Sequence, residues 1–345
     1  MTGAPVDVTD AAQDTSGTAV SGTGPARGAF SSALVDFAGK YAVIIVLFLI
    51  ICVFSAIKPA TFFTASNAQA ILTNQAALVI LALGLTVALA AGEFDLSVAS
   101  VVGFSASLLA YLTSVRHWQV AIAIPAVLLL TAAIGAVNAL FVVKFNVNSF
   151  ITTLGSGTLV TGVAVGIAGP TTIGNLPTSI TAAGDASIGG IQVMVYLSIV
   201  VTILLWFILE HTVWGRHLLF TGMAKDAARL AGIPVSQIRS LSLIISATLA
   251  GASGMVLVAQ VGAADPTYGA PFLLPAFAAA FLGATTIKRG RYNAWGTLVG
   301  VYLLATGTTG LLMLGASNWV SNVFNGGALM LAVALAVFAA RQAER

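Results

Sequence analysis

The chain has 345 residues, of which 58% are apolar and only 7% are charged. A soluble protein carries roughly a quarter of charged residues, so this composition excludes a water-soluble fold and indicates a protein that lies in a membrane. The net charge of +3 is explained by the excess of Lys and Arg that membrane proteins carry on cytoplasmic loops, and we therefore expect no nucleic-acid partner.

The first part of the chain differs from the rest because it is rich in Thr, Ser, Gly and Ala and has no apolar periodicity. We predict a disordered cytoplasmic tail over residues 1–38 and a single transmembrane domain over residues 39–345. The tail has no basic segment leading into an apolar core, so it does not resemble a signal peptide. The first apolar run, residues 41–57, is expected to act as a signal anchor.

Apolar stretches long enough to cross a bilayer recur from Tyr41 onward, and their composition predicts helices and not the strands of a barrel. The predicted fold class is all-α, a polytopic membrane protein of about ten transmembrane helices that would be embedded in a lipid bilayer. The predicted spans are residues 41–57, 70–91, 97–115, 118–143, 149–168, 191–210, 239–261, 271–286, 294–314 and 321–340.

The basic residues predict how these spans are oriented. If the N-terminus lies in the cytoplasm and ten spans alternate, only Lys58 and Arg116 of the 14 Lys and Arg residues fall outside. Membrane proteins keep basic loops on the cytoplasmic side. We therefore predict a multi-pass protein of the bacterial inner membrane with both termini in the cytoplasm.

Two connections between the predicted spans are long. The outer one, residues 169–190, is rich in Gly, Thr, Pro and Ser and is interpreted as an extracellular cap. The inner one, about residues 211–240, holds most of the cytoplasmic polar residues. It contains a predicted helix, Ala224 to Leu230, that ends at Gly232 because Gly terminates helices and the following Pro234 does not continue one.

The sequence lacks the residue patterns of several activities. Gly39-Lys40 is its only Gly-Lys pair and does not form a P-loop, so we expect no nucleotide cofactor in this chain. Paired metal ligands and a nucleophile elbow are also missing, which argues against an enzyme. Glu93 and Asp95 fall at the turn between the second and third spans. The spans therefore hold no carboxylate at their centres, which argues against an ion-coupled carrier.

Neutral polar side chains do occur in or near the spans. They have two interpretations: helix packing through Ser and Thr hydroxyls, or a mildly polar path that an uncharged, hydroxylated solute could cross. The candidate path residues are Asn74, Thr152, Thr153, Ser156 and Thr306.

Glycine is frequent, with 35 residues. The spacings of Gly251 with Gly254, and of Gly296 with Gly300, place each pair on one face of a helix. Small residues let helices approach closely, so we expect close packing at both pairs, with a hinge as the second interpretation.

Three stretches carry a resemblance to a known family. They are GEFDLSVAS at residues 92–100, SFITTLG at 149–155, and GR at 215–216 followed by AARLAGI at 227–233. Together they resemble the ribose-type permeases of bacterial ATP-binding-cassette (ABC) sugar importers, over about residues 68–339. The sequence departs from the family pattern at Ala99, where Gly is usual, and at Ser149, where Pro is usual.

The resemblance implies a fold shared with vitamin B12 importer permeases and a dimer around a central path, either homomeric or heteromeric. It implies that the inner connection carries a coupling helix for a cytoplasmic ATPase subunit, which would bind the ATP. The implied coupling residues are Ala224, Lys225, Asp226, Ala227, Ala228, Arg229, Leu230 and Gly232. The implied cytoplasmic turn motif is Gly92, Asp95, Leu96 and Ser97.

The expected function is therefore the permease subunit of an ABC importer that moves a monosaccharide, either a pentose, a hexose or a related polyol, into the cytoplasm by alternating access. Its expected partners are the ATPase, an extracytoplasmic sugar-binding protein and a second permease copy. The alternatives are the same class of importer for a nucleoside, inositol or a furanose signalling molecule, and a passive solute channel. Branched-chain amino-acid permeases, which lack the Asp-Leu-Ser-Val element, are ranked lower.

Overall fold

The computed structural model describes residues 40–169 and 171–343 of the chain, so the predicted tail over residues 1–38 lies outside the described residues. In chain order the first helices are α1 (Ala42–Ile57), α2 (Ala65–Asn74), α3 (Ala76–Ala90), α4 (Val98–Ala110), α5 (Val120–Ala139), α6 (Ser149–Ala168) and α7 (Thr178–Asp185). The later elements are β1 (Ser187–Ile188), β2 (Ile191–Gln192), α8 (Val193–His211), α9 (Val213–Met223), α10 (Lys225–Leu230), α11 (Val235–Val261), α12 (Leu273–Thr285), α13 (Ala294–Met313) and α14 (Asn318–Ala343).

The protein is a polytopic helical membrane protein, as predicted. Among the described residues, six helices are long and apolar enough to cross a membrane, and the bent pair α2–α3 makes a seventh if it is one span. Each of the ten predicted spans overlaps an observed helix. Because α1 and α12 are short for a bilayer core of about 30 Å, the count of ten crossings stays a prediction.

The centre of the bundle is formed by α3 and α11. All 15 residues of α3 are buried, as expected for a helix that is apolar on every side. Helix α11 is 27 residues long and packs against α3, α4 and α5. A Cβ at Gly84 of α3 would press against the Leu249 side chain of α11. Small residues thus set how closely the two central helices approach.

The two predicted glycine pairs behave differently. Gly296 and Gly300 of α13 both face α12, against Gly283 and Ala279, so this pair forms one close contact as expected. Gly251 and Gly254 of α11 instead face two different helices. Gly251 contacts Thr131 of α5, and Gly254 contacts α4. Positions three apart are neighbours on a helix surface, so both glycines lie on one side of α11 as predicted, and this side packs closely against both α4 and α5.

Helices α4 and α5 end in the same way. Each continues into a π-helical turn, Tyr111–Val115 after α4 and Leu140–Lys144 after α5. Two residues beyond each turn a non-glycine residue has positive φ, 56° at His117 and 55° at Asn146. A left-handed residue after the last turn lets the chain leave the helix while late carbonyl groups still accept hydrogen bonds.

The outer connection predicted as a cap has more structure than its composition indicated. It holds α7 and the antiparallel β1–β2 hairpin. Ile173 also exchanges two backbone hydrogen bonds of 2.9 Å with Ala264, which lies in the connection between α11 and α12. These bonds tie the outer connection to residues 262–272.

Residues 262–272 fold back against the start of α4. Gly262 leaves α11 with a left-handed φ of 72°. A Cβ at Gly103 of α4 would overlap the Pro266 carbonyl, and a Cβ at Gly269 would overlap the Ala99 carbonyl. This close approach brings the connection beside α4 and α6, where the cavity described below lies.

Candidate functional site

The predicted coupling helix is present as α10. It begins at Lys225, after Ala224 breaks away from the end of α9 with φ −152° and ψ 86°. It ends at Leu230, and Gly232 then turns the chain with a left-handed φ of 78°. The sequence predicted these boundaries to within one residue because a Gly/Pro stop is a local signal. The coupling role of the segment stays a prediction.

Most of α10 faces outward. Ala228 is buried, whereas Ala227, Arg229 and Leu230 are exposed, and Leu230 has 90% of its surface accessible. Asp226 and Arg229 are also exposed and lie 3.9 Å apart, so they contribute little to stability. The exposed face of α10 therefore carries one large apolar side chain and two charged ones.

The predicted turn motif lies between α3 and α4. Gly92 has a φ of 77° and a Cβ there would touch the Gly222 backbone at the end of α9. Asp95 is fully buried, and its Oδ1 accepts hydrogen bonds from the Ser97 backbone N–H (3.1 Å) and hydroxyl (2.5 Å). Asn138 of α5 donates to the same hydroxyl over 2.9 Å. The motif thus fixes the entry of the chain into α4.

Burial and hydrogen bonding act in opposite directions on the pKa of the Asp95 carboxyl. Burial raises this pKa above its ordinary value, and the hydrogen bonds from Ser97 oppose the rise without cancelling it. No ion pair to Asp95 is present among the described residues. The carboxyl is held by hydrogen bonds and not by a cation.

Glu93, two residues earlier, has the opposite environment, and sequence reasoning missed it. Its carboxylate is only 2% exposed and accepts from Lys225 Nζ at 2.9 Å and from Arg239 Nε at 2.6 Å. Burial alone would raise the Glu93 pKa, but the two cations outweigh it and hold the pKa below its usual value. Lys225 opens α10 and Arg239 lies in the first turns of α11. These partners are 132 and 146 residues away in sequence, so no local sequence pattern predicts the two ion pairs.

Helix α6 is anchored to the same turn. Its Thr153 hydroxyl accepts from the Leu96 N–H (3.0 Å), and the Ser149 hydroxyl accepts from the Phe94 N–H (3.2 Å). The single hydrogen of the Thr153 hydroxyl is shared between the Ser149 carbonyl of α6 (2.8 Å) and the Phe94 carbonyl (3.1 Å). The buried residues of α6 form one stripe at helical spacing: Ser149, Thr153, Gly157, Val160 and Ala164. Its opposite face is exposed among the described residues.

A cavity of about 390 Å³ lies between α4, α6 and the connection that precedes α12. It has no charged side chain in its wall and carries four hydroxyl groups, those of Ser100, Thr158, Thr161 and Thr267. Thr161 donates to Ser100 over 3.0 Å and Thr158 donates to its own helix at Leu154 over 3.1 Å. The remaining wall is apolar: Leu96, Ala99, Leu154, Gly157, Pro266, Ala270 and Leu273. A neutral molecule with hydroxyl groups matches this lining.

The structure brings only some of the candidate path residues together. Thr152, Thr153 and Ser156 share α6, but Thr153 is used in the turn and none of the three lines the cavity. Asn74 is exposed at the end of α2. Thr306 lies far along the chain on α13, in the wall of a separate, mostly apolar cavity of about 480 Å³ beside α1 and α2. A path role for these five residues stays a prediction.

No group of three or more His, Cys, Asp or Glu residues that could hold a metal ion occurs among the described residues. The described residues thus provide an uncharged, hydroxyl-bearing cavity beside α6 and an exposed face on α10, with polar contacts at the Glu93 turn between them.

Comparison with known proteins identifies the family. Residues 67–334 match the family model described as the branched-chain amino acid transport system / permease component. The chain belongs to this family. Within it, this permease is similar to proteins named for sugars. It is 31% identical to the ribose import permease of Escherichia coli K12 over 297 residues, which covers 84% of this chain and 91% of the relative.

Two further relatives extend the comparison. The permease is 29% identical over 299 residues to the D-allose transport system permease of Escherichia coli K12, covering 87% of this chain and 92% of the relative. It is 31% identical over 260 residues to the autoinducer 2 import system permease of Yersinia enterocolitica, which covers 74% of this chain and 78% of the relative. No solved structure matches significantly, so the similarity to vitamin B12 importers stays a prediction.

The class of the protein follows from these findings. It is a membrane permease of the sugar ABC importer group, a multi-pass inner-membrane protein whose relatives are transport proteins and not enzymes. Membership implies a partner ATPase and a partner binding protein. The predicted preference for sugar permeases over branched-chain amino-acid permeases agrees with the names of these relatives, although the family description itself names the amino acids.

Proposed function

We propose that this permease carries a monosaccharide, either a pentose, a hexose or a related polyol, into the cytoplasm by alternating access driven by a partner ATPase. The observation that carries the proposal is the uncharged, hydroxyl-bearing cavity beside α6, in a chain whose relatives are named for ribose and D-allose import.

The chemistry of the cavity supports a neutral cargo. A charged solute would lose its hydration without gaining an ionic partner in this wall, at a large cost. A sugar instead exchanges hydrogen bonds to water for hydrogen bonds to Ser100, Thr158, Thr161 and Thr267 while its ring packs on the apolar wall. Few and weak polar contacts also favour release, which conduction requires.

The partners in the proposal follow from the surfaces of the chain. The ATPase, which binds the ATP, would bind α10, because that helix exposes Leu230, Asp226 and Arg229. A second permease copy would cover the bare face of α6, where Gly155, Gly162 and Gly166 have no neighbour within 4 Å. Small residues of this kind support close contact between membrane helices. The distribution of the basic residues supports a cytoplasmic position for α10 and for both termini.

A second cargo is supported by one specific finding. A relative of similar identity is named for autoinducer 2 import, so a furanose signalling molecule belongs to the same proposal of a neutral, hydroxylated solute. Inositol and nucleosides carry the same chemistry and serve as further candidates.

The test begins with purification of the tagged protein from native membranes in mild detergent and identification of the ATPase and binding protein that accompany it. The complex is then reconstituted in vesicles with labelled ribose, D-allose, arabinose, inositol, a nucleoside and autoinducer 2. We expect uptake of one of these that requires ATP and the binding protein. Uptake that is equally fast without ATP would instead support a passive channel and contradict the proposal.

A further inference from the structure

We propose that Glu93 is a positioning residue that transmits movement of α10 to α6, the helix that lines the hydroxyl-bearing cavity. This inference rests on the proposed function, because it concerns how ATP-driven movement at one end of the permease reaches the solute path.

The first link joins α10 to the turn between α3 and α4. Lys225, at the first position of α10, donates to Glu93 Oε1 over 2.9 Å. Beside this pair, the last turn of α9, which leads into α10, contacts the end of α3 directly, because a Cβ at Gly222 would overlap the Ala90 carbonyl. A displacement of α10 therefore either moves the turn with it or separates Lys225 from Glu93.

Glu93 pairs with two cations, although one would be enough to neutralise its charge. Arg239 of α11 already pairs with the carboxylate over 2.6 Å and is largely buried, with 13% of its side chain exposed. Lys225 is 39% exposed, so its amine would be well solvated without Glu93. The second pair thus does more to connect two elements than to neutralise a buried charge.

The second link joins the turn to α6. Two residues that follow Glu93 donate their backbone N–H groups to the first turns of α6. The Phe94 N–H donates to the Ser149 hydroxyl over 3.2 Å and the Leu96 N–H donates to the Thr153 hydroxyl over 3.0 Å. Thr153 is fully buried, so water does not replace these bonds. These bonds attach the start of α6 to the turn after α3. The side chain of Glu93 attaches the same turn to α10.

The third link is α6 itself. It is 20 residues long and supplies Leu154, Gly157, Thr158 and Thr161 to the cavity wall. A helix transmits displacement along its length because its backbone hydrogen bonds make it stiff. The path from α10 to the cavity wall thus consists of contiguous contacts that are all made by described residues, the kind of network through which energetic coupling between two sites is carried.

The test uses variants that keep Glu93 paired. Lys225→Gln removes the link to α10 but leaves the ion pair with Arg239, so the protein should fold. Lys288→Gln is the matched control: Lys288 pairs with Glu210 over the same 2.9 Å and is 44% exposed, but it lies outside the path. In the reconstituted complex, the number of solute molecules moved per ATP hydrolysed should fall about five-fold or more for Lys225→Gln. It should stay at the wild-type value for Lys288→Gln, and Lys225→Arg should restore it.

A double-variant cycle separates this link from a direct contact between Lys225 and the ATPase. Glu93 is too deeply buried to touch another protein. Glu93→Gln should lower the ratio at least as far as Lys225→Gln does, since it also removes the partner of Arg239. Adding Lys225→Gln to Glu93→Gln should cause no further loss. Independent losses that add would overturn the inference, as would a wild-type ratio in Lys225→Gln.

A second readout follows α6 directly. In a Cys52→Ser background, which removes the only cysteine of the chain, a Thr158→Cys thiol should change its labelling rate when ATP is added, and Lys225→Gln should abolish this change. If the labelling rate still changes with ATP in Lys225→Gln, the inference about Glu93 is contradicted but the proposed function is not. If no ATPase accompanies the wild-type protein, the proposed function fails and the inference fails with it.

Discussion

Two carboxylates that stand two residues apart in the turn after α3 have opposite environments. Glu93 is paired with two cations, which hold its pKa below the usual value. Asp95 is fully buried, and burial raises its pKa. Charge is needed at the first position to bind Lys225 and Arg239. At the second position the structure uses hydrogen-bond acceptance, a property that a neutral side chain also provides.

This contrast predicts different outcomes for two substitutions at Asp95. Asp95→Asn keeps an oxygen that accepts from the Ser97 N–H and hydroxyl, so ATP-dependent uptake should remain near the wild-type level. Asp95→Ala leaves those donors without an acceptor, at about 1–3 kcal/mol each. The yield of folded protein in detergent and the uptake of every cargo should therefore fall together. A change in cargo preference with normal yield would contradict this assignment.

At the scale of elements, α10 is a helix that does not stabilise itself. It has six residues, far fewer than the roughly 12–15 that an isolated helix needs. It is held by buried Ala228, by the Lys225–Glu93 pair and by the chain reversals at Ala224 and Gly232. Because its support comes from the body of the permease, its outward side chains are free to bind a partner.

The exposed side of α10 predicts where the ATPase binds. Leu230→Asp should weaken association of the ATPase about ten-fold or more, because a charge would replace an apolar anchor. Thermal stability of the isolated permease should be unchanged, since Leu230 is 90% exposed. Co-purification of the ATPase over a detergent wash series measures the first effect.

Ile188→Asp is the matched control for that experiment. Ile188 is an apolar residue, 64% exposed, in the β1–β2 hairpin of the other long connection. The Ile188→Asp variant should associate with the ATPase as strongly as the wild-type protein does. Equal behaviour of the two variants would argue that α10 is not the binding surface.

The elements show which features the sequence could predict. Spans, the stop of α10 at Gly232 and the turn at Gly92 were predictable because apolar runs and glycine are local signals. The 42° bend between α2 and α3 was not, since neither Gly nor Pro marks it and the break at Gln75 depends on the packing of neighbouring helices. The Glu93 cluster and the cavity wall were also missed, because they join segments far apart in the chain.

At the scale of the whole molecule, the cavity is built from three distant parts of the chain. It takes its wall from α4, from α6 and from Pro266, Thr267 and Ala270 of the folded-back connection, residues 262–272. That connection is tied in turn to Ile173 after α6. The C-terminal ends of α6 and α11 are therefore joined through the connections that follow them, while the Glu93 turn joins the N-terminal end of α6 to α10.

The assignment of the cavity predicts a difference between two threonines. The Thr158 and Thr308 hydroxyls donate to the carbonyl four residues earlier in their own helices, over 3.1 Å and 2.9 Å. Their removal should cost similar stability, but only Thr158 lines the cavity. Thr158→Val should lower ATP-dependent uptake several-fold, by about 1 kcal/mol for one lost hydrogen bond to the solute, whereas Thr308→Val should not. Equal uptake by the two variants would show that the solute takes another route.

The short helix α12 has a consequence for how the protein is made. Its 13 residues extend about 20 Å, less than the hydrocarbon thickness, so it is a poor substrate for insertion on its own. Gly283 of α12 lies directly against Gly296 of α13, and Gly300 lies against Ala279. We therefore expect the two helices to enter the bilayer as a hairpin during synthesis. A ribosome that stalls between them would leave α12 without the surface that retains it in the membrane.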